Sequence, residues 1–373
     1  MIPRVKPCQH VRQLANRTIY STTCPRFTCP LASSKALPSR AGLSALAQPR
    51  LTKGGQPYLA ESWLCRDDQA GRVSGMLPRL LLCLLACAQA LFAAGPVTAP
   101  PADLKLDPFY KKHVSAGGLP VVSSGAVNDH ALLEAAHLAD LMLAKRPDVR
   151  AAMIANGSRI IVIGYAEFST DIPEYAHMKP KDYWDARARG FGGSKSDPVC
   201  SCGEENLLGY PGDPYAAENI FIHEFAHNIH LRGMVKLDPT FDDRLKATYD
   251  AAMAKGLWKG KYAATNHHEY FAEGVQSWFD DNRVNDHDHN HVHLRSQLIE
   301  YDPGLAAMCR EVFGDTVLKY TKPATRLTGH LASYDPKTAP KFIWPERLAA
   351  VKAEIRRKAV ERDRNANAAP KTK

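Results

Sequence analysis

Along residues 96–373 the spacing of apolar positions separates a first half that bears strands from a second half that reads as helical. Leu132, Ala136, Ala139 and Leu143 recur at helical intervals, which predicts a helix over 129–144 capped by Asn128 or Asp129. A second helix is expected from Pro147 to Ala155, where Asn156-Gly157 stops it. The run Arg159-Ile-Ile-Val-Ile163, closed by Gly164, then reads as a buried strand. Residues 165–215 are rich in Gly, Pro, Ser and Asp and show little periodicity, so long loops with one or two short strands are expected there. Helices follow at 216–231, 241–254 and 266–279. The remainder is expected to be mostly helical, ending in a charged helix near 345–362 and a polar, disordered tail. Residues 96–101, rich in Pro and Ala, read as a linker. There are no internal repeats. This order predicts an α+β chain with a cleft between its two halves.

Composition changes the picture at the N-terminus. The formal charge of +9 suggests a nucleic-acid partner until it is located. Residues 1–75 hold 11 Lys and Arg against 3 Asp and Glu, Arg79 adds one more positive charge, and residues 80–373 sum to zero. A nucleic-acid partner is therefore not expected. Met76-Leu-Pro-Arg79, the apolar run that follows, and Ala88-Gln89-Ala90 have the layout of a secretory signal peptide over 76–94, cleaved near residue 90. The run is too short for a stable membrane span, which takes about 20 apolar residues. A leader at this depth implies that residues 1–75 arise from a start codon placed too far upstream. An Arg- and Ser-rich transit peptide is the rival, and acylation of Cys87 as a lipoprotein is a further option. Export would leave Cys200, Cys202 and Cys309, and one of the first two could pair with Cys309.

The chemistry is concentrated in 219–273. His223-Glu224-x-x-His227 sits inside the apolar run Ile220, Phe221, Ile222, Phe225, Ala226, Ile229. On a helix, positions four apart share a face, so both imidazoles can reach one ion, and Glu224 can take a proton from a water activated there. Two imidazoles and a carboxylate suit zinc, with a fourth position open to water. A further histidine six residues after His227 would indicate another subclass, but Gly233 stands there, and His230 reads as a neighbour. Glu269 and Glu273 lie four apart on the next predicted helix face. The first is the expected third ligand, in the gluzincin arrangement, and the second supports a ligand histidine from behind.

Here the chain resembles a known family. A His-Glu-Phe-x-His helix followed by Tyr262-x-x-x-Asn266-x-x-Glu269-Tyr-Phe-Ala-Glu273 is similar to the catalytic domain of the anthrax lethal factor family of gluzincins. The 42 residues from His227 to Glu269 are similar to the spacing in that family, and the likeness covers about 60 residues. It implies a zincin-like domain over 95–345 that binds one Zn2+ per chain and hydrolyses peptide or protein substrates. His223, His227 and Glu269 would be the ligands, Glu224 the general base, Glu273 the supporting acid, and Tyr262 the donor to the oxyanion. His267 and His268 occupy the variable positions and take no role. A different class of function stays open. Asp286-His-Asp-His-Asn-His-Val-His293 could clasp metal, as in a zinc-scavenging protein, or be a solvated loop. Glu224 and Tyr262 are the residues such a binder would not need, and they favour the enzyme.

Overall fold

The computed structural model describes residues 95–368. The leader expected at 76–94 and the basic stretch 1–75 lie outside the described residues. The chain is mixed α+β, with a five-stranded sheet of order β1-β2-β3-β5-β4. Strands β1 (Lys112–Ala116) and β2 (Leu119–Ser123) form an antiparallel hairpin. Gly117 and Gly118 turn it at φ 56° and 96°, a backbone that side chains with a Cβ resist. This hairpin adds to the one strand expected outside 165–215.

Helices α1 (Asp129–Met142) and α2 (Pro147–Ala155) carry the chain over to β3 (Arg159–Ile163), which lies parallel to β2. Asn128 caps α1 by accepting from the His130 amide. The stretch 165–215 does hold two short strands, β4 (Gly190–Phe191) and β5 (Val199–Gly203), but also two short helices, α3 (Lys181–Arg187) and α4 (Glu204–Leu208). Its polarity misleads because Glu204, Glu205 and Asn206 are buried. Glu204 accepts from the amides of Asn128 and Tyr165, both at 2.8 Å, and Glu205 pairs with Arg189. Strand β5 runs parallel to β3, and β4 pairs antiparallel to it at the sheet edge.

The second half begins with α5 (Ile220–Asn228), α6 (Phe241–Ala254) and α7 (His267–Trp278), followed by α8 (Arg295–Tyr301) and α9 (Pro303–Phe313). The helix expected to run to residue 231 instead changes after Asn228 into a π-helical turn, Ile229–Met234. Residues 314–348 hold only 3-10 turns, where more helix was expected. Pro323, Pro336, Pro340 and Pro345 cannot sit inside an α-helix, and that accounts for the change. The charged terminal helix, α10, spans Ala349–Ala368.

The expected disulfide is absent: Cys200, Cys202 and Cys309 are free and buried. Cys200 and Cys202 occupy alternate positions on β5, so both face the same side of the sheet. Cys309 belongs to α9, which packs on α6 and α7. Burial pushes all three thiols up, so they are core side chains rather than nucleophiles. Among the described residues no helix is long and apolar enough to cross a membrane.

Candidate metal centre

Helix α5 packs between β5 and α7, and it sorts its side chains by face. Phe221 and Phe225 stack with ring centroids 5.2 Å apart inside the core. His223 and His227 emerge together on the opposite stripe, toward α7 and the cleft. The N-terminus of α5 is held by Asn219, whose side chain accepts from the Phe221 amide at 3.0 Å. Asn266 does the same for α7, accepting from His268 and Glu269 amides at 2.8 and 3.0 Å. That cap places Glu269 in the first helical turn, directed at α5.

Three ligand atoms meet as a result. His223 Nε2 lies 3.1 Å from Glu269 Oε2, His227 Nε2 is 3.3 Å from the same oxygen, and the two Nε2 atoms are 3.3 Å apart. Ligands about 2.0–2.1 Å from a tetrahedral ion stand about 3.3–3.4 Å from one another, so the triangle fits one ion. His223, His227 and Glu269 could therefore hold a metal ion. Burial alone would keep His223 neutral, but the carboxylates of Glu269, Glu224 and Glu273 lift it to about 10. Against the same burial, the two imidazoles hold the Glu269 carboxyl well below the usual range. A position that favours a proton between these groups favours a metal cation for the same electrostatic reason.

Behind His223 stands a residue that sequence reasoning missed. Gln276 Oε1 accepts from His223 Nδ1 at 2.9 Å, while Gln276 Nε2 donates to Glu218 Oε2 at 2.9 Å. The second bond fixes which way the amide points, and the first therefore fixes the His223 tautomer, with the Nε2 lone pair facing Glu269. Glu273 is farther, at 3.5 Å from His223 Nδ1, and is engaged by Asn282 at 3.0 Å and His289 Nε2 at 3.2 Å. The available signal was helical periodicity: Gln276 follows Glu269 by two turns on one face.

Glu224 is half-buried in the cleft wall, and among the described residues it makes no hydrogen bond or ion pair. Burial raises its carboxyl pKa, and the His223 and His227 imidazoles oppose the rise. Gly190 and Gly192 leave room for this helix. A Cβ at 192 would lie 2.4 Å from the His227 Cβ and 2.8 Å from the Glu224 carbonyl oxygen. At Gly233 a Cβ would meet Val149 and Met153 of α2, so that position faces away from the three ligand atoms.

Tyr262 opens a 3-10 turn, Tyr262–Ala264, with its ring centroid 6.2 Å from that of His223. Burial and the carboxylates of Glu269 and Glu224 raise its phenol pKa, so the hydroxyl stays protonated. Its amide donates to the Asp288 carbonyl at 2.8 Å, and Lys261 Nζ donates to the Asp286 carbonyl at 3.0 Å. The histidine-rich segment is thus partly internal. His287 and His291 are exposed, but His289 is buried between Asp286 and Glu273.

The cleft has a volume of about 470 Å³, with Tyr175, Trp184, Phe191 and Tyr215 in its walls beside the edge strand β4. Arg187, at the end of α3, also lines it, and its positive charge reaches both Glu224 and Tyr262. No protein family matches the chain, and no curated protein matches it. Among solved structures, the PRO-PRO endopeptidase from Paenibacillus alvei is similar at 21% identity, over 52% of this chain and 97% of that one, with a TM-score of 0.36.

Proposed function

We propose that this chain is a zinc-dependent endopeptidase of the gluzincin type. The reading rests on one observation: an ion-sized triangle of His223, His227 and Glu269 lies in a cleft lined also by Tyr262 and by Glu224, which among the described residues has no hydrogen-bond or ion-pair partner. Glu269 as the third ligand carries the gluzincin subclass. A zinc ion held there would supply Lewis-acid polarisation of the scissile carbonyl and lower the pKa of water. Glu224 takes a proton from the attacking water and passes it to the leaving amine. The rise that burial gives its carboxyl makes it a stronger proton acceptor than an exposed glutamate. Tyr262 donates its hydroxyl hydrogen to the oxygen on which negative charge develops. Gln276 holds His223 in the tautomer that ligation needs, and Glu273 adds negative charge behind it. An extended peptide would lie along β4 as an added strand, with side chains against Trp184 and Phe191. A scavenging protein has no use for an uncommitted carboxylate beside its metal ligands, and His289 is already committed to Glu273.

The deciding experiment incubates the purified chain with quenched-fluorescent peptide libraries, beside Glu224→Gln. The variant should keep its zinc and lose about 10²- to 10⁴-fold in turnover, the usual worth of a general base. Zinc-dependent cleavage that survives in Glu224→Gln within tenfold would remove Glu224 from this role. A wild-type chain that binds zinc and cleaves no peptide would favour the scavenger.

A further inference from the structure

One turn beyond His227, three histidines converge on a single carboxylate. Asp242 Oδ1, at the start of α6, lies 3.1 Å from His230 Nε2, 3.0 Å from His267 Nε2 and 3.5 Å from His268 Nε2. The other oxygen, Oδ2, is taken by Lys195 Nζ at 2.8 Å. His230 belongs to the π-helical turn after α5, and His267 and His268 open α7. An oxygen with two lone pairs cannot accept hydrogen bonds from three imidazoles. His267 forms one, at 3.0 Å. His230 is the imidazole left over: it is completely buried, and neither of its ring nitrogens has a well-formed hydrogen bond. Its Nε2 faces the carboxylate closely but without the alignment of a donor. Buried polar atoms in folded proteins are nearly always satisfied, so an unsatisfied one points to a partner of another kind.

The donor set says what that partner is. His230, Asp242 and His268 each present one ligand atom, all within 4.8 Å of one another. Two imidazole nitrogens and a carboxylate oxygen are the ligands of borderline divalent ions, zinc foremost. We propose that His230, Asp242 and His268 form a second divalent-metal site, distinct from His223, His227 and Glu269. His267 and Lys195 hold the Asp242 carboxylate in place from the sides. The ion would join the turn after α5, the start of α6 and the start of α7. Helices α5 and α7, which these segments extend and open, carry His227 and Glu269, so this site would brace the cleft from behind. Each site contains its own carboxylate, which offsets part of the repulsion between two dications.

The test uses the full chain, stripped with a chelator, dialysed, and titrated with Zn2+ by calorimetry, with metal content measured after desalting. The wild type should take two ions. His268→Ala and Asp242→Ala should each take one, Glu269→Ala should keep one, and Glu269→Ala combined with His268→Ala should keep none. His268 is partly exposed, so its variant should fold, and circular dichroism checks this. Should Asp242→Ala fail to fold, His268→Ala decides by itself. A wild type that takes one ion, lost in Glu269→Ala and kept in His268→Ala, would overturn the proposal, and the three histidines would then pack around Asp242 without a metal. Two ions retained in His268→Ala would overturn it as well, placing the second ion elsewhere. None of these outcomes depends on peptidase activity.

Discussion

Two clusters of buried charge, one at Arg189 and Glu205 beside β4 and one at His223, His227 and Glu269 on α5 and α7, are built on opposite plans. Arg189 and Glu205 are both fully buried, joined at 2.6 Å through Nε and at 3.0 Å through Nη2. The remaining guanidinium donors reach the Gly164 carbonyl at 2.9 Å and the Glu167 carbonyl, and the rings of Phe168 and Phe342 cover the cation at 5.1 and 5.0 Å. Donor meets acceptor throughout, and nothing further is needed. At His223, His227 and Glu269 the arrangement inverts. Three lone-pair atoms face one another at 3.1–3.3 Å, and among the described residues Glu224 beside them has no hydrogen-bond or ion-pair partner. Buried charge that the protein completes by itself is architecture, whereas buried lone pairs that converge call for a cation from outside.

The contrast can be broken first at its structural end. Arg189→Ala leaves Glu205 buried without a partner and should cost about 3–5 kcal/mol of stability, read by urea denaturation. Arg189→Met with Glu205→Leu should recover much of that loss. Glu269→Ala, measured in chelator, should destabilise less than Arg189→Ala while emptying the first metal site; a larger loss would mean that Glu269 is structural. Next comes Tyr262→Phe, which deletes a donor needed only as charge develops. It should lower kcat about 10²- to 10³-fold, with KM and zinc content nearly unchanged. A loss below tenfold, or lower zinc content, would return Tyr262 to packing. The smallest effects sharpen the supporting layer. Gln276→Ala should weaken zinc affinity about 10- to 100-fold, and Glu273→Ala less, because Gln276 holds the hydrogen bond to His223. Competition against a zinc-sensitive dye measures both, and the reverse order would restore Glu273 as the principal support.

What could be read from sequence was local. The i, i+4 pair His223 and His227, the adjacent Glu224 and the helices Pro147–Ala155 and Phe241–Ala254 follow from helical period and capping within one segment. The pairing of Glu269 with those histidines was legible too, though only through a resemblance that spans 42 residues of intervening chain. The turns at 314–348 were written in their prolines, yet apolar spacing hid them. Other features depend on how separate elements pack, and no local pattern encodes that. Gln276 rather than Glu273 reaches His223 because of the rotation of α7 against α5. Polar residues 204–206 go inside because Arg189 and two backbone amides wait there. The thiols stay apart because β5 and α9 face different neighbours. His230, Asp242 and His268, 12 and 26 residues apart in succession, meet only because a π-helical turn and two helix starts come together. Periodicity in one segment assigns a residue to a face; only tertiary packing decides which face it meets, because that meeting depends on side chains distant in the chain.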